Sequence, residues 1–165
     1  MIRILGVDPG LADVGWGIIE KENNSYKPIA YGAFKTKSSD SIQDRIYKIA
    51  ETIGLICKEK NIDTVSIEEI FFTKHSICSA LNVSKVIGAI LFETKKLDLD
   101  CTLFTPLQIK MAVTGYGQSD KNQVQQMVKI LLKLKDIPSP NHAADALAAA
   151  ICYGNFYSTQ MRLKK

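Results

Sequence analysis

The hydrophobic period of this chain changes near residue 40, and that change limits the folds open to it. Before it, three short apolar and β-branched runs, Ile2 to Val7, Gly15 to Ile19 and Ile29 to Thr36, are separated by the turn signal Asp8-Pro9-Gly10 and by the polar stretch Glu20 to Ser25. Connections this short suit antiparallel pairing, so the opening predicts a three-stranded meander. After it, Ile42, Ile46, Ile49, Ile53 and Ile56 recur at steps of four, three, four and three, the spacing of one helical face, with Asp40 or Ser41 able to cap it.

Strand and helix patterns then alternate. Thr64 to Ile67 is β-branched and ends in Glu68-Glu69, and a second helix follows with the stripe Ile77, Leu81, Ser84, Gly88 and Leu91, whose small residues admit another backbone. Cys101 to Thr105 reads as a fifth strand closed by Pro106, Leu107 to Val113 as a short helix, and Thr114-Gly115-Tyr116-Gly117 as a loop. Ser119 or Asp120 starts a helix with Val124, Met127, Val128, Leu131 and Leu132 inward; after Pro138-Ser139-Pro140, Asn141 can cap the last one. The order predicts an α/β fold: a five-stranded mixed sheet in which an antiparallel meander is followed by two parallel crossover strands, flanked by helices. With 165 residues, 46% of them hydrophobic, and no repeat or linker, the expectation is a single domain over residues 1–165.

Lysine and arginine number 21 and aspartate and glutamate 17, a net charge of +4 that permits a polyanionic partner without demanding one. Cys57, Cys78, Cys101 and Cys152 lie far apart without zinc-ligand spacing and read as reduced core thiols. The N-terminus meets Asp8 too early for a signal peptide, and the longest apolar run, Val86 to Phe92, is too short to cross a bilayer. A cytoplasmic protein without a membrane partner is expected.

Five acidic or imidazole residues could carry the chemistry. Asp8 ends the first strand, where an aspartate alone is more often a turn residue. Glu68 and Glu69 end an apolar strand, where a carboxylate is costly unless it meets water, a cation or a hydrogen bond, and alternation sends the two to opposite faces without saying which is functional. His142 and Asp145, at i and i+3, project from one face of the last helix within an alanine-rich segment that should be buried. Such ligands, drawn from separate strands and a helix, can converge at one end of a sheet. Carboxylates so gathered repel one another unless a cation compensates, and oxygen-rich sites favour magnesium or manganese, which support in-line phosphoryl displacement.

Ile4-Leu5-Gly6-Val7-Asp8-Pro9-Gly10, Ile67-Glu68-Glu69-Ile70-Phe71, the run from Gln118 to Val128 and Ala143-Ala144-Asp145-Ala146-Leu147-Ala148 together closely resemble, in order, the RuvC family of bacterial Holliday junction endonucleases. The resemblance implies a ribonuclease H-like fold, a homodimer and magnesium-dependent resolution of four-way DNA junctions by paired nicks leaving 5′-phosphate and 3′-hydroxyl ends, in recombination and repair. It selects Glu68 over Glu69 and implies that Asp8, Glu68, His142 and Asp145 hold one or two Mg2+ ions. His142 stands where many members carry an aspartate, and Mn2+ is the expected substitute, since imidazole is the softer ligand. By the same resemblance Lys121 contacts the scissile region, Lys110 is a further basic site position, and Phe71, with Phe72 beside it, meets unpaired bases. Val83 to Gly88 departs from related sequences, which carry a glycine and an arginine before the final glycine, and Lys85 keeps a positive charge nearby. Coupling to the RuvA–RuvB branch-migration complex is likewise implied. The competing readings are a nuclease of this fold acting on another structured nucleic acid such as RNA, and a junction-binding protein without cleavage. The loop from Gly115 to Ser119 leads into a helix N-terminus, which can receive phosphate.

Overall fold

The computed structural model describes residues 1–70 and 77–163. β1 (Ile2–Asp8), β2 (Asp13–Glu22) and β3 (Ser25–Lys35) form the meander, followed by α1 (Ile42–Glu59), β4 (Thr64–Glu68), α2 (Ile77–Lys96), β5 (Asp100–Phe104), α3 (Pro106–Thr114), α4 (Lys121–Leu131) and α5 (Asn141–Leu163). The sheet order is β3-β2-β1-β4-β5, with β1 antiparallel to β2 and parallel to β4, and β4 parallel to β5. This is the mixed five-stranded sheet expected, with the predicted Phe71 and Phe72 outside the described residues.

Each sheet face buries one hydrophobic layer. On one side Leu5, Val7, Ile18, Val65 and Ile67 pack against Ile49 and Ile53 of α1 and Val86, Ile87 and Ile90 of α2. On the other, Ile4, Ile19 and Phe104 pack against Ile109 of α3, Val124 and Val128 of α4, and the Leu147–Cys152 stretch of α5. α1 starts where the serine allows it, the Ser41 hydroxyl accepting from the Asp44 N–H at 3.1 Å.

The structure adds to or corrects the sequence reading in three places. The polar stretch Glu20 to Ser25 is mostly strand: β2 runs to Glu22, β3 begins at Ser25, and Asn23 takes the left-handed backbone (φ 51°) of the tight turn between them. Cross-strand charge pairing explains the polarity, because Glu20 binds Arg3 of β1 and faces Lys27 of β3. The α2 stripe faces away from the sheet: Ile77 and Leu81 are more than half exposed, and Ser84 and Gly88 are exposed with them. The buried face is instead Ala80, Val86, Ile87, Ile90 and Thr94, with Leu91 partly covered. α2 is also long and apolar enough, by length and composition, to cross a membrane, yet here that face packs on the sheet and α1. Finally, Cys57 and Cys152 are buried and Cys101 half-buried, but Cys78 is an exposed thiol rather than a core one.

α5 lies unusually close to the strands because both surfaces are made of small residues. A Cβ at Gly6 of β1 would stand 1.9 Å from the Ala146 carbonyl oxygen, and one at Gly15 of β2 would stand 2.0 Å from that of His142. Ser66 of β4 adds a buried hydrogen bond, donating to the Ala149 carbonyl at 2.7 Å. The first turns of α5 are thereby set against the end of the sheet where β1 and β4 finish.

Candidate metal centre and active site

β1 and β4 are parallel neighbours with Val7 opposite Ile67, so their last residues, Asp8 and Glu68, emerge side by side at the same sheet edge. Alternation does the rest: Glu68 is partly buried in the site, whereas Glu69 is exposed and uses its N–H to extend the ladder to the Phe104 carbonyl at 2.8 Å. The glycine-seated α5 brings His142 and Asp145 to this edge, and α4 brings Lys121.

His142 Nδ1 lies 2.7 Å from Asp8 Oδ2, and Lys121 Nζ donates to Asp145 Oδ2 at 2.7 Å. Asp8, His142 and Asp145 each offer one ligand atom, and all three atoms lie within 4.8 Å of one another. Glu68 stands beside this trio. Burial, and then the charges of Asp8 and Asp145, push its carboxyl up to about 7, against an opposing pull from Lys121 and Lys110. The Asp8 carboxyl is also raised, chiefly by burial, with the hydrogen bond from His142 acting against the rise and the Asp145 charge adding to it. Three acids held this close outnumber the one lysine paired with them, Lys121 on Asp145, and three carboxylates with one imidazole are a donor set that fits a divalent cation.

Glu68 is the wall between two hollows. One, of about 210 Å³, is lined by Glu68, Pro106, Lys110, Lys121 and Asp145 among others. The second, of about 280 Å³, is lined by Asp8, Pro9, Glu68, Glu69, Ile70, Val83 and Pro106. An acidic floor with two lysines on one side can receive a phosphate group while holding a cation beneath it.

Of the residues singled out from sequence, Asp8, Glu68, His142, Asp145, Lys121 and Lys110 converge here. Lys85 does not: it is exposed on α2, donates to Asn82 Oδ1 at 3.2 Å, and lies outside the linings of both hollows. The α4 N-terminus is occupied by its own capping box, Asp120 accepting from the Gln123 N–H at 2.9 Å, so an acid already stands where the loop reading placed a phosphate. Sequence reasoning missed Gln125, a buried amide on the α4 face that otherwise carries Val128 and Leu132, and it took Asn141 for a cap, whereas Asn141 Oδ1 accepts from Gln125 Nε2 at 3.2 Å.

Residues 4–153 match the family described as crossover junction endodeoxyribonuclease RuvC. The chain is 46% identical over 154 residues to the protein of that name from Halothermothrix orenii, covering 93% of each, and 45% identical over 156 residues to that of Alkaliphilus oremlandii, covering 93% of this chain and 94% of the relative. The structure of Thermus thermophilus RuvC in complex with Holliday junction substrate superposes with a TM-score of 0.91 at 26% identity, over 97% of both chains. An acidic site at the end of a mixed sheet and a sequence match running nearly end to end agree: the chain belongs to the RuvC family of crossover junction endodeoxyribonucleases.

Proposed function

We propose that this protein resolves four-way DNA junctions by metal-assisted hydrolysis of a phosphodiester in each of two opposed strands, leaving 5′-phosphate and 3′-hydroxyl ends. The observation that carries the reading is the convergence of Asp8, His142 and Asp145 within 4.8 Å, beside Glu68, in a chain of this family. Asp8, Glu68, Asp145 and His142 would hold one or two Mg2+ ions, with Mn2+ as substitute. A divalent ion bound there supplies an activated water and neutralises charge on the scissile phosphate.

The side chains set the stage for that chemistry. In the tautomer that donates from Nδ1, His142 fixes Asp8 Oδ2 and keeps the Nε2 lone pair for a ligand role. Lys121 holds Asp145 Oδ2, leaving the second carboxylate oxygen free, and with Lys110 it offers positive charge to phosphate. Burial raises the Glu68 carboxyl to about 7, so without a cation it is shared between its protonated and charged forms near neutral pH, and a bound cation would favour the charged one. Phe71, Phe72 and Lys85 are proposed as DNA contacts from family resemblance alone.

A homodimer would supply one active site for each opposed strand. The exposed α2 stripe of Ile77, Leu81, Ser84, Gly88 and Phe92 supports a second copy there, since a Cβ at Gly88 would meet nothing within 4 Å. A single nuclease domain in the cytoplasm, coupled to RuvA–RuvB, completes the reading on the strength of family membership. The test is product mapping on a labelled four-way junction: symmetrical nicks that ligase reseals are expected, whereas equal cutting of linear duplex or of an RNA junction would replace the junction-specific assignment.

A further inference from the structure

Two hydrogen-bonded rungs cross between α4 and α5. Lys121 reaches Asp145, and Gln125 reaches Asn141. On each helix the two partners are four residues apart, about 6 Å along the axis and on one face. The rungs are therefore equivalent steps of one antiparallel helix pair, and making one sets the register of the other.

The second rung contributes little that a core needs. Gln125 is 9% exposed, on the helix face shared with Val128 and Leu132, where an apolar side chain would pack without desolvating an amide. A buried polar pair in an otherwise apolar contact specifies register at some cost in stability. In this position the register it specifies is the one that puts Lys121 Nζ against Asp145 Oδ2. We infer that Gln125 and Asn141 are positioning residues for the Lys121–Asp145 pair, locking α4 to α5 so that one carboxylate oxygen of Asp145 is engaged by the lysine and the other stays free.

This inference rests on the nuclease reading, and its test separates the two. Gln125→Leu removes the rung and keeps the volume, whereas Gln125→Glu retains it, because the Asn141 amide can rotate and donate to the new carboxylate. Junction cleavage under single-turnover conditions should fall about tenfold or more in Gln125→Leu with junction affinity unchanged, and Gln125→Glu should restore most of it. In a Lys121→Met background the same Gln125→Leu change should have no further effect, which a merely structural role would not produce. The crystal structure of Gln125→Leu gives a readout independent of activity: the Lys121–Asp145 contact should open beyond hydrogen-bonding distance. Wild-type rates in Gln125→Leu, additive losses with Lys121→Met, or an intact Lys121–Asp145 bond in that crystal would each overturn the inference. A wild-type protein that cuts no junction would instead overturn the nuclease reading, and the crystal would still decide the positioning role.

Discussion

Nδ1 of His142 stands 2.7 Å from Oδ2 of Asp8 across 134 residues of sequence, joining the first strand of the sheet to the first turn of its last helix. The contact exists because Gly15 has no side chain: α5 rests on the bare β2 backbone directly under His142. Its chemistry is unusual among the acids around it, since a nitrogen donor favours the softer of the divalent ions this site can hold.

Replacing the imidazole, whose Nε2 is left for a ligand role, should therefore alter metal choice. His142→Asp is expected to raise the ratio of Mg2+- to Mn2+-supported cleavage several-fold, and His142→Ala to lower activity about 10–100-fold with both ions, the usual range for a lost ligand orienter. Initial rates across a titration of each metal measure this. An unchanged ratio in His142→Asp would mean that the imidazole has no part in metal selection.

Glu68 makes stability depend on pH in a direction opposite to that of a salt-bridged acid. Its carboxyl is raised from 4.5 to about 7, so between those values the native state binds more protons than the unfolded state, and metal-free stability falls as pH rises through that window. The cost is absent below the lower value and fully present above the upper. Metal-free Glu68→Gln should match wild type near pH 4.5 and exceed it at pH 8 by on the order of 1–3 kcal/mol. Urea denaturation in chelator at both pH values checks this, and a difference that fails to grow with pH contradicts it.

Lys121 is 54% exposed and its partner Asp145 20%, so their ion pair should matter to chemistry far more than to folding. Lys121→Met is expected to change stability by less than about 1 kcal/mol. Single-turnover cleavage should nonetheless fall about 100-fold, the cost of losing one charge at a developing phosphate anion. A large drop in melting temperature alongside a small rate effect would reverse those roles.

Gly15→Ala tests how the site is seated. The new methyl would fall 2.0 Å from the His142 carbonyl oxygen, a distance that only movement of α5 can relieve. A loss of about 1–3 kcal/mol or more by denaturant unfolding is expected, with cleavage impaired at temperatures where the fold persists. Wild-type stability and rate together would show that α5 is not held at this point.

Leu81→Glu on the exposed α2 stripe should shift a dimer toward monomer in sedimentation equilibrium while leaving the fold intact, because Leu81 is already 51% exposed in the single chain. A dimer of unchanged affinity would direct attention to another face.

The sheet order was readable because period-2 and helical spacing occupy separate stretches of this chain; Asp145 stood out because it interrupts an apolar segment, whereas Asp8, at the end of the first strand, gained meaning only in company with the other acids. What periodicity cannot supply is the covering partner. The α2 stripe was real, but the side it faces depends on which face the sheet occupies, and a periodic pattern looks the same against a core or against a second chain. Alternation separated Glu68 from Glu69 without choosing between them, because the choice is made by β1 and α5, far away in sequence. Asn141 looked like a cap for the same reason: its partner, Gln125, belongs to another helix. The extension of β3 back to Ser25 escaped notice because its polar residues satisfy one another across strands instead of pointing into a loop.

The most direct test of the central claim is cleavage of a labelled four-way junction and a matched linear duplex, with Mg2+ or Mn2+, by the wild-type protein and by Asp8→Asn, a change that keeps the shape of the carboxylate and removes its charge. Paired, symmetrical nicks on the junction alone, lost in Asp8→Asn while junction binding persists, are the predicted result. Cleavage by neither protein despite tight junction binding, or equal cleavage by both, would contradict the account.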